Sequence, residues 1–480
     1  MSNMLTQSEY VKLDSIDLAT GIRDKEFTCV EITATAIAQA EKLNPDINAI
    51  VADYFERALD ESAAFDANPQ LLSKSRLAGL PFLIKDLNNV AGMKTTFGSR
   101  LYEGYLANNN SSIVQRYIDA GLIIFGKTNT PERGLTITTE PVANGITRNP
   151  WNREYSTGGS SGGAGAAVAA GIIPAAHATD GGGSIRIPAA CCGLFGLKPS
   201  RGLTAIENKL VDSWNGMSVG HVVSQTVRDS AAFLDIIKLD RANVFALPPS
   251  PDSFYDDLVD KNAGKLRIAV QLTQPLGRDI DDDCTEAVKK AAQLCESLGH
   301  QLEEVAHPVG YKPVILAMSR RINLYVYQSI AARLEELGLD LADCPIEAST
   351  QLMANLGRET TGEDYLQALD TVKHAERQMA EFHRDYDIII SPVLSKIPAK
   401  IGWLDMNSPD QRDYSKRFGS YSGFTSLYNG TGQPSMSMPL HRSTQGLPVG
   451  VMFTAAWGQD STLLRLARQL EQAEPWPRSA

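Results

Sequence analysis

The chain has 480 residues, 43% of them hydrophobic and 21% charged, with a formal net charge of −11. That balance is ordinary for a soluble globular enzyme, and the negative charge, with no Lys/Arg-rich run, argues against nucleic acid or an anionic membrane as a partner. At about 150 residues per domain the length allows two to four domains. No repeat, low-complexity tract or clear linker divides the chain, however, and one large α/β domain over 1–480 is the expectation.

The first seventy residues read as helical. Thr28 caps a helix over 30–43 with Glu31 in its first turn, and Asn44-Pro45 ends it. A short strand at 49–52 and a helix at 55–65 follow, then a buried strand at 81–84 that ends on Lys85-Asp86. A helix at 112–120 stops at Gly121, and 122–125 is another apolar strand. Further along, Thr226 caps a helix at 227–239, residues 248–258 read as a surface connection, and 266–270 is a strand. The acidic run RDIDDD precedes a helix at 285–298, where carboxylates favour the positive end of the helix better than they suit a metal. Residues 310–385 are mostly helical, 387–393 and 448–454 are strands, and 461–473 is a closing helix. Short apolar strands alternating with amphipathic helices predict an α/β fold, a mixed central sheet with helices on both faces.

The six cysteines show no C-x-x-C spacing, so neither a disulfide framework nor a zinc ribbon is expected, and Cys191 and Cys192 read as small buried thiols. The N-terminus lacks a basic start followed by an apolar run, and no stretch of 18 apolar residues occurs, so a cytoplasmic location is expected.

Between Ser156 and Gly202 stand twelve of the 38 glycines and only four charged residues: Asp180, Arg186, Lys198 and Arg201. A core helix would not tolerate so many glycines, at roughly 1 kcal/mol each against alanine. Such a backbone suits a site where amides must approach a ligand closely. Three enzyme signatures compete. Gly121 to Thr128 matches the P-loop pattern, but its four variable residues are Leu-Ile-Ile-Phe, a strand rather than a phosphate-cradling loop. Gly158-Gly159-Ser160-Ser161-Gly162 matches the nucleophile elbow of an α/β-hydrolase esterase, yet NREYST is a poor buried strand before it. His441, the late histidine such a triad needs, lies in what reads as a surface turn. The third constellation is Lys85, Ser160 and Ser184. A serine needs a base, and a lysine serves if burial lowers its pKa from about 10.4 towards neutrality. His177, in an Ala-rich stretch, reads as a core residue.

The segments GLPFLIKDLNNVAGMKTTFGS, GKTNTPE, TRNPWN, GGSSGGAGAAVAAG, ATDGGGSIRIPA and GLFGLKPSRG together resemble the amidase signature family, in the family's order and spacing. Ser160 and Ser184 are 24 residues apart, as in that family. The resemblance implies the amidase signature fold and an amide hydrolase working through an acyl-enzyme. Ser184 would be the nucleophile, Ser160 a relaying serine on a cis peptide bond, and Lys85 the base. The amides of Gly181, Gly182, Gly183 and Ser184 would form the oxyanion hole, with Ser161, Asp180 and Arg186 in support. No metal or cofactor is implied. The partner would be a small-molecule amide, and a homodimer is the assembly the family suggests. Within the expected domain, 1–70 would be an N-terminal helical segment, 75–205 the catalytic core and 310–430 the variable substrate pocket, rich in Tyr311, Tyr325, Tyr327, Trp403, Phe424 and Tyr428. Some members are instead subunits of tRNA-dependent transamidation, but GGGSIRIP and the later GLTAIENKLVDSWNGMSVGHV depart from that pattern. TTEPVANGITRNPWN and GTGQPSMSMP are similar to stand-alone bacterial amidases of the 6-aminohexanoate cyclic dimer hydrolase type.

Overall fold

The computed structural model describes residues 5–205, 213–240 and 246–480. Residues 1–4, 206–212 and 241–245 lie outside it, and with them part of the N-terminal stretch and of the segment 202–222 read above. Thirteen strands are described: β1 (Ile50–Asp53), β2 (Pro81–Lys85), β3 (Ile123–Thr128), β4 (Arg148–Asn149), β5 (Asn152–Ser156), β6 (Ala175–Asp180), β7 (Phe195–Lys198), β8 (Val219–Ser224), β9 (Arg267–Val270), β10 (Gln301–Glu304), β11 (Ile388–Pro392), β12 (Ser435–Arg442) and β13 (Pro448–Ala455). Eight of them form the main sheet in the order β10-β9-β11-β13-β12-β7-β8-β6. It is mixed: β9 pairs in parallel with β10 and β11, and the remaining pairs are antiparallel. Every residue of β13 is buried, as expected of a strand covered on both faces. A second sheet, β1-β3-β2, lies alongside, and β2 packs against β6. No backbone ladder joins those two strands; the Lys85 N–H is donated to His177 Nδ1 at 3.3 Å.

Local signals explain many of the element ends. Thr28 accepts from the Glu31 amide, and the Glu31 carboxylate returns to the Thr28 amide, a complete capping box. The helix it starts runs over Cys29–Ile47, through Pro45, and stops one turn later than expected. Its end is set by Asn48 in the left-handed region, while the Asn44 side chain accepts from the amides of Ala49 and Ile50. Thr226 caps Val227–Ile237, and the acidic run starts the helix Asp282–Ser297.

Residues 248–258 are not merely a surface connection. Ser253 caps a helix over Phe254–Asp260 whose Phe254 and Leu258 are buried. That helix is too short to display a period. Nor does alternation announce β6, β7, β8 or β12: β6 is half alanine, β7 is only four residues long, and all but β12 are buried at almost every position. His441 therefore sits on β12, before the turn rather than in it. All six cysteines are free and buried. Among the described residues no helix is long and apolar enough to cross a membrane.

Candidate active site

β2 delivers Lys85 into the interior with no exposed surface. Its Nζ lies 2.7 Å from Ser160 Oγ, 2.8 Å from Ser161 Oγ and 3.0 Å from Thr179 Oγ1. Burial drives this amine well below its ordinary pKa, against an opposing pull from Asp180. A neutral amine has two N–H donors and one lone pair. Ser161 Oγ gives its own proton to Thr179 O (3.2 Å) and also accepts the Thr179 amide (3.3 Å), so it must accept from Lys85. The lone pair is therefore left for Ser160 or Thr179. Thr179 is a member of this cluster that residue type alone does not reveal; its only sequence signal is its place in ATDGGGS.

Asp86, the acid next to Lys85, is occupied elsewhere. Lys127 Nζ stands 3.1 Å from its Oδ1 and also donates to Asn88 O and Thr95 Oγ1. Lys127 lies within β3, so the stretch that would have to curl around a phosphate, from Ile123 on, is strand and not a loop. The fully buried His177 is kept neutral by burial, with the positive charge of nearby Lys127 acting in the same direction. A second buried lysine, Lys198, is brought to about 7 by burial and by Arg186, but its Nζ donates to Pro199 O and it lines neither cavity beside Ser184.

Ser160 follows a cis Gly159–Ser160 peptide. The strand before it, β5, belongs to a two-stranded ribbon with β4 and not to the main sheet. Ser160 hydrogen-bonds a lysine rather than an imidazole, which removes the α/β-hydrolase geometry. The Gly181–Ser184 turn leaves the end of β6. The Asp180 carboxylate accepts the amides of Gly183 (2.7 Å), Ile185 (3.1 Å) and Arg186 (3.4 Å), and pairs through both oxygens with the Arg186 guanidinium at 2.9 Å. Burial would raise this carboxyl, but Arg186 overrides it and holds it below the usual range. Gly183 has φ +137°, and a Cβ there would collide with Thr425. The Gly183 amide is thus committed to Asp180, which narrows the expected oxyanion hole; the amides of Gly181, Gly182 and Ser184 donate to no protein acceptor among the described residues.

The turn is braced from far along the chain. Thr425 Oγ1 donates to Gly182 O at 2.6 Å, and Asn429 Nδ2 donates to Asp180 O and Oδ1 at 2.9 Å each. Ser184, 7% exposed, opens onto two cavities of about 70 and 330 Å³, and Ser160 lines the smaller one with it. No hydrogen bond joins Ser160 Oγ to Ser184 Oγ among the described residues. The larger cavity draws on helices between residues 311 and 426, but none of Tyr311, Tyr325, Tyr327, Trp403, Phe424 or Tyr428 lines it. Tyr311, Phe424 and Tyr428 are core residues. Among the described residues no cluster of three or more His, Cys, Asp or Glu side chains could hold a metal ion.

The fold and the family are set by comparison with known proteins. Residues 31–464 match the Amidase family. The 6-aminohexanoate-cyclic-dimer hydrolase of Paenarthrobacter ureafaciens is 34% identical, covering 96% of this chain and 95% of its own. A solved 6-aminohexanoate cyclic dimer hydrolase complexed with substrate superposes with a TM-score of 0.88 at 32% identity, over 97% of this chain and 98% of that one. A bacterial aryl acylamidase of the amidase signature family gives 0.87 at 26% identity, over 97% and 96%. The chain belongs to the amidase family; it has the amidase signature fold and is a hydrolase of amide C–N bonds.

Proposed function

We propose that the protein hydrolyses a small carboxamide through a Ser-Ser-Lys relay and an acyl-enzyme on Ser184. Neutral Lys85 takes a proton through Ser160 while Ser184 Oγ attacks the carbonyl carbon. The tetrahedral oxyanion is received by the amides of Gly181, Gly182 and Ser184, while Asp180 keeps the Gly183 amide and so the shape of the turn. Removing one such donor typically costs about 3–4 kcal/mol of transition-state stabilisation. The relay then returns the proton to the departing nitrogen. Water hydrolyses the ester by the reverse path, giving a carboxylate and ammonia or an amine.

The observation that carries this reading is the shell of Lys85 Nζ: among the described residues it holds three hydroxyls and no carboxylate, with Ser160 at 2.7 Å on the wall of the cavity it shares with Ser184. The names of the relatives suggest aliphatic amides, linear or cyclic, as the substrate range. Ser184→Ala should lower kcat by about 10⁴-fold or more with unfolding unchanged. A fluorophosphonate should label Ser184 in the wild type. Near-normal turnover by the variant, or labelling of another residue, removes Ser184 as nucleophile.

A further inference from the structure

Four peptide units carry the chain from Asp180 to Ser184, and three of them are held by their carbonyl oxygens. Asp180 O accepts from Asn429 Nδ2 at 2.9 Å, Gly182 O from Thr425 Oγ1 at 2.6 Å, and Gly183 O from the Ile187 amide at 2.7 Å. In a planar trans peptide the N–H points away from the C=O, so an oxygen held on one side aims the following N–H to the other. The Asn429 and Ile187 bonds thereby direct the amides of Gly181 and Ser184, and the Thr425 bond directs the Gly183 amide onto the Asp180 carboxylate at 2.7 Å.

The fourth unit, Gly181–Gly182, is bonded at neither edge: among the described residues Gly181 O has no donor and the Gly182 amide no acceptor. Glycine adopts either sign of φ at little cost, so nothing local to this pair fixes the direction of its amide. What fixes it is the next unit. The Gly182–Gly183 plane is clamped at both edges, by Thr425 on its oxygen and by Asp180 on its N–H, and this sets the Gly182 Cα from which the free amide projects. Thr425 is itself held. It is buried, its carbonyl accepts from Arg186 Nη1 at 2.8 Å, and Arg186 pairs with Asp180 at 2.9 Å. Its side chain lies so close to the turn that a Cβ on Gly183 would come within 2.4 Å of Thr425 Oγ1. Thr425 lines neither cavity beside Ser184, although the next residue, Ser426, lines the larger.

We propose that Thr425 is a positioning residue for the oxyanion hole: by holding Gly182 O, its hydroxyl directs the Gly182 amide at the tetrahedral oxygen. The inference rests on the reading of Ser184 as nucleophile and of this turn as the receiver of the oxyanion. A donor stabilises the developing charge only if it is already aimed when the charge appears. Without the hydroxyl the Gly182–Gly183 plane is held at one edge, by Asp180 alone, and is free to tilt, carrying the Gly182 amide with it.

The test compares Thr425→Ala with Thr425→Ser in the full-length protein, two variants that differ by the hydroxyl. The probe is an alkyl fluorophosphonate. Ser184 Oγ bonds to phosphorus and passes its proton to the relay, fluoride leaves, and the phosphoryl oxygen takes the place of the oxyanion. The readout therefore does not depend on which amide is the substrate. In Thr425→Ala the limiting rate of labelling should fall by at least about tenfold, the scale of a misdirected donor, while the half-saturating concentration changes by less than about threefold. The acid limb of the rate against pH should not move, because the hydroxyls around Lys85 Nζ are those of Ser160, Ser161 and Thr179. Thr425→Ser should label within about threefold of the wild-type rate, since the hydroxyl is restored. If the alanine variant does not fold, Thr425→Cys, whose thiol is a weak donor, takes its place with the same expectation. A limiting rate in the alanine variant within about threefold of wild type overturns the proposal, as does a loss confined to the half-saturating concentration. So does a serine variant no faster than the alanine one. Labelling of another residue in the wild type removes Ser184 as nucleophile and this inference with it, whereas Ser184 labelled at equal rates in all variants removes this inference alone.

Discussion

Lys85 Nζ hydrogen-bonds only to hydroxyl groups among the described residues, although the next residue is an acid. Lys127 accounts for this by holding the Asp86 carboxylate at 3.1 Å, so that Lys85 has no contact counter-ion among the described residues. The charges that act on Lys85 are then Asp180, which favours its protonation, and the balanced Asp86–Lys127 pair, with neutral His177 beneath its backbone. The folded state lowers the Lys85 pKa, and only the neutral amine can serve as base. Activity should therefore be present above that lowered pKa and fall as pH drops through it. Lys127→Met leaves Asp86 unbalanced and favours the charged amine, so the acid limb of the kcat/KM profile should move to higher pH. Activity near pH 7 should fall by about tenfold. The double variant Asp86→Asn, Lys127→Met removes both charges and should return the limb towards its original position. A limb that stays put in the single variant would assign Lys127 a packing role alone.

At the scale of one element, the helix Gly162–Ala169 (GGAGAAVA) is informative because it has no polar face; all eight residues are buried. Propensity alone favours replacing a glycine there with alanine, by about 1 kcal/mol. Space decides otherwise. A Cβ on Gly163 would lie 2.6 Å from Ala49 O and collide with the Asn129 backbone, neither of which is a movable side chain. Overpacking of this kind costs about 1–3 kcal/mol, so Gly163→Ala should destabilise the protein overall. Urea unfolding should give a lower midpoint, and a raised midpoint would show that the helix has room to shift. The glycines that read from the sequence as marks of close approach to a ligand are here, in part, marks of close approach between backbones.

Across the whole molecule, the Gly181–Ser184 turn depends on residues some 240 positions away. Arg186 donates to Asp180, Thr425 O and Asn429 Oδ1, while Asn429 returns two hydrogen bonds to Asp180, all of it buried. Asn429→Ala strips both Asp180 and Arg186 of partners, a loss of about 2–4 kcal/mol where desolvated charges are involved. Thermal melting should fall accordingly. The loosened turn should also lower kcat by about tenfold or more, since small misplacements near reacting atoms are costly. A variant that melts lower but keeps full kcat would separate the brace from the chemistry. The sequence by itself determined what depends on neighbours in the chain: the caps at Thr28 and Thr226, the strand ending at Lys85, and the glycine-rich turns bearing Ser160 and Ser184. Family-wide spacing added the link between those three residues. Only the tertiary structure decided that Thr179 joins Lys85, that Lys127 neutralises Asp86, and that Asn429 braces Asp180. It also decided that the pocket is walled by Ile315, Met318 and Leu352 and not by the aromatics of the same segment. Those partnerships bring together residues tens to hundreds of positions apart, and which face of a helix or strand meets which neighbour is settled by packing, not by any local pattern.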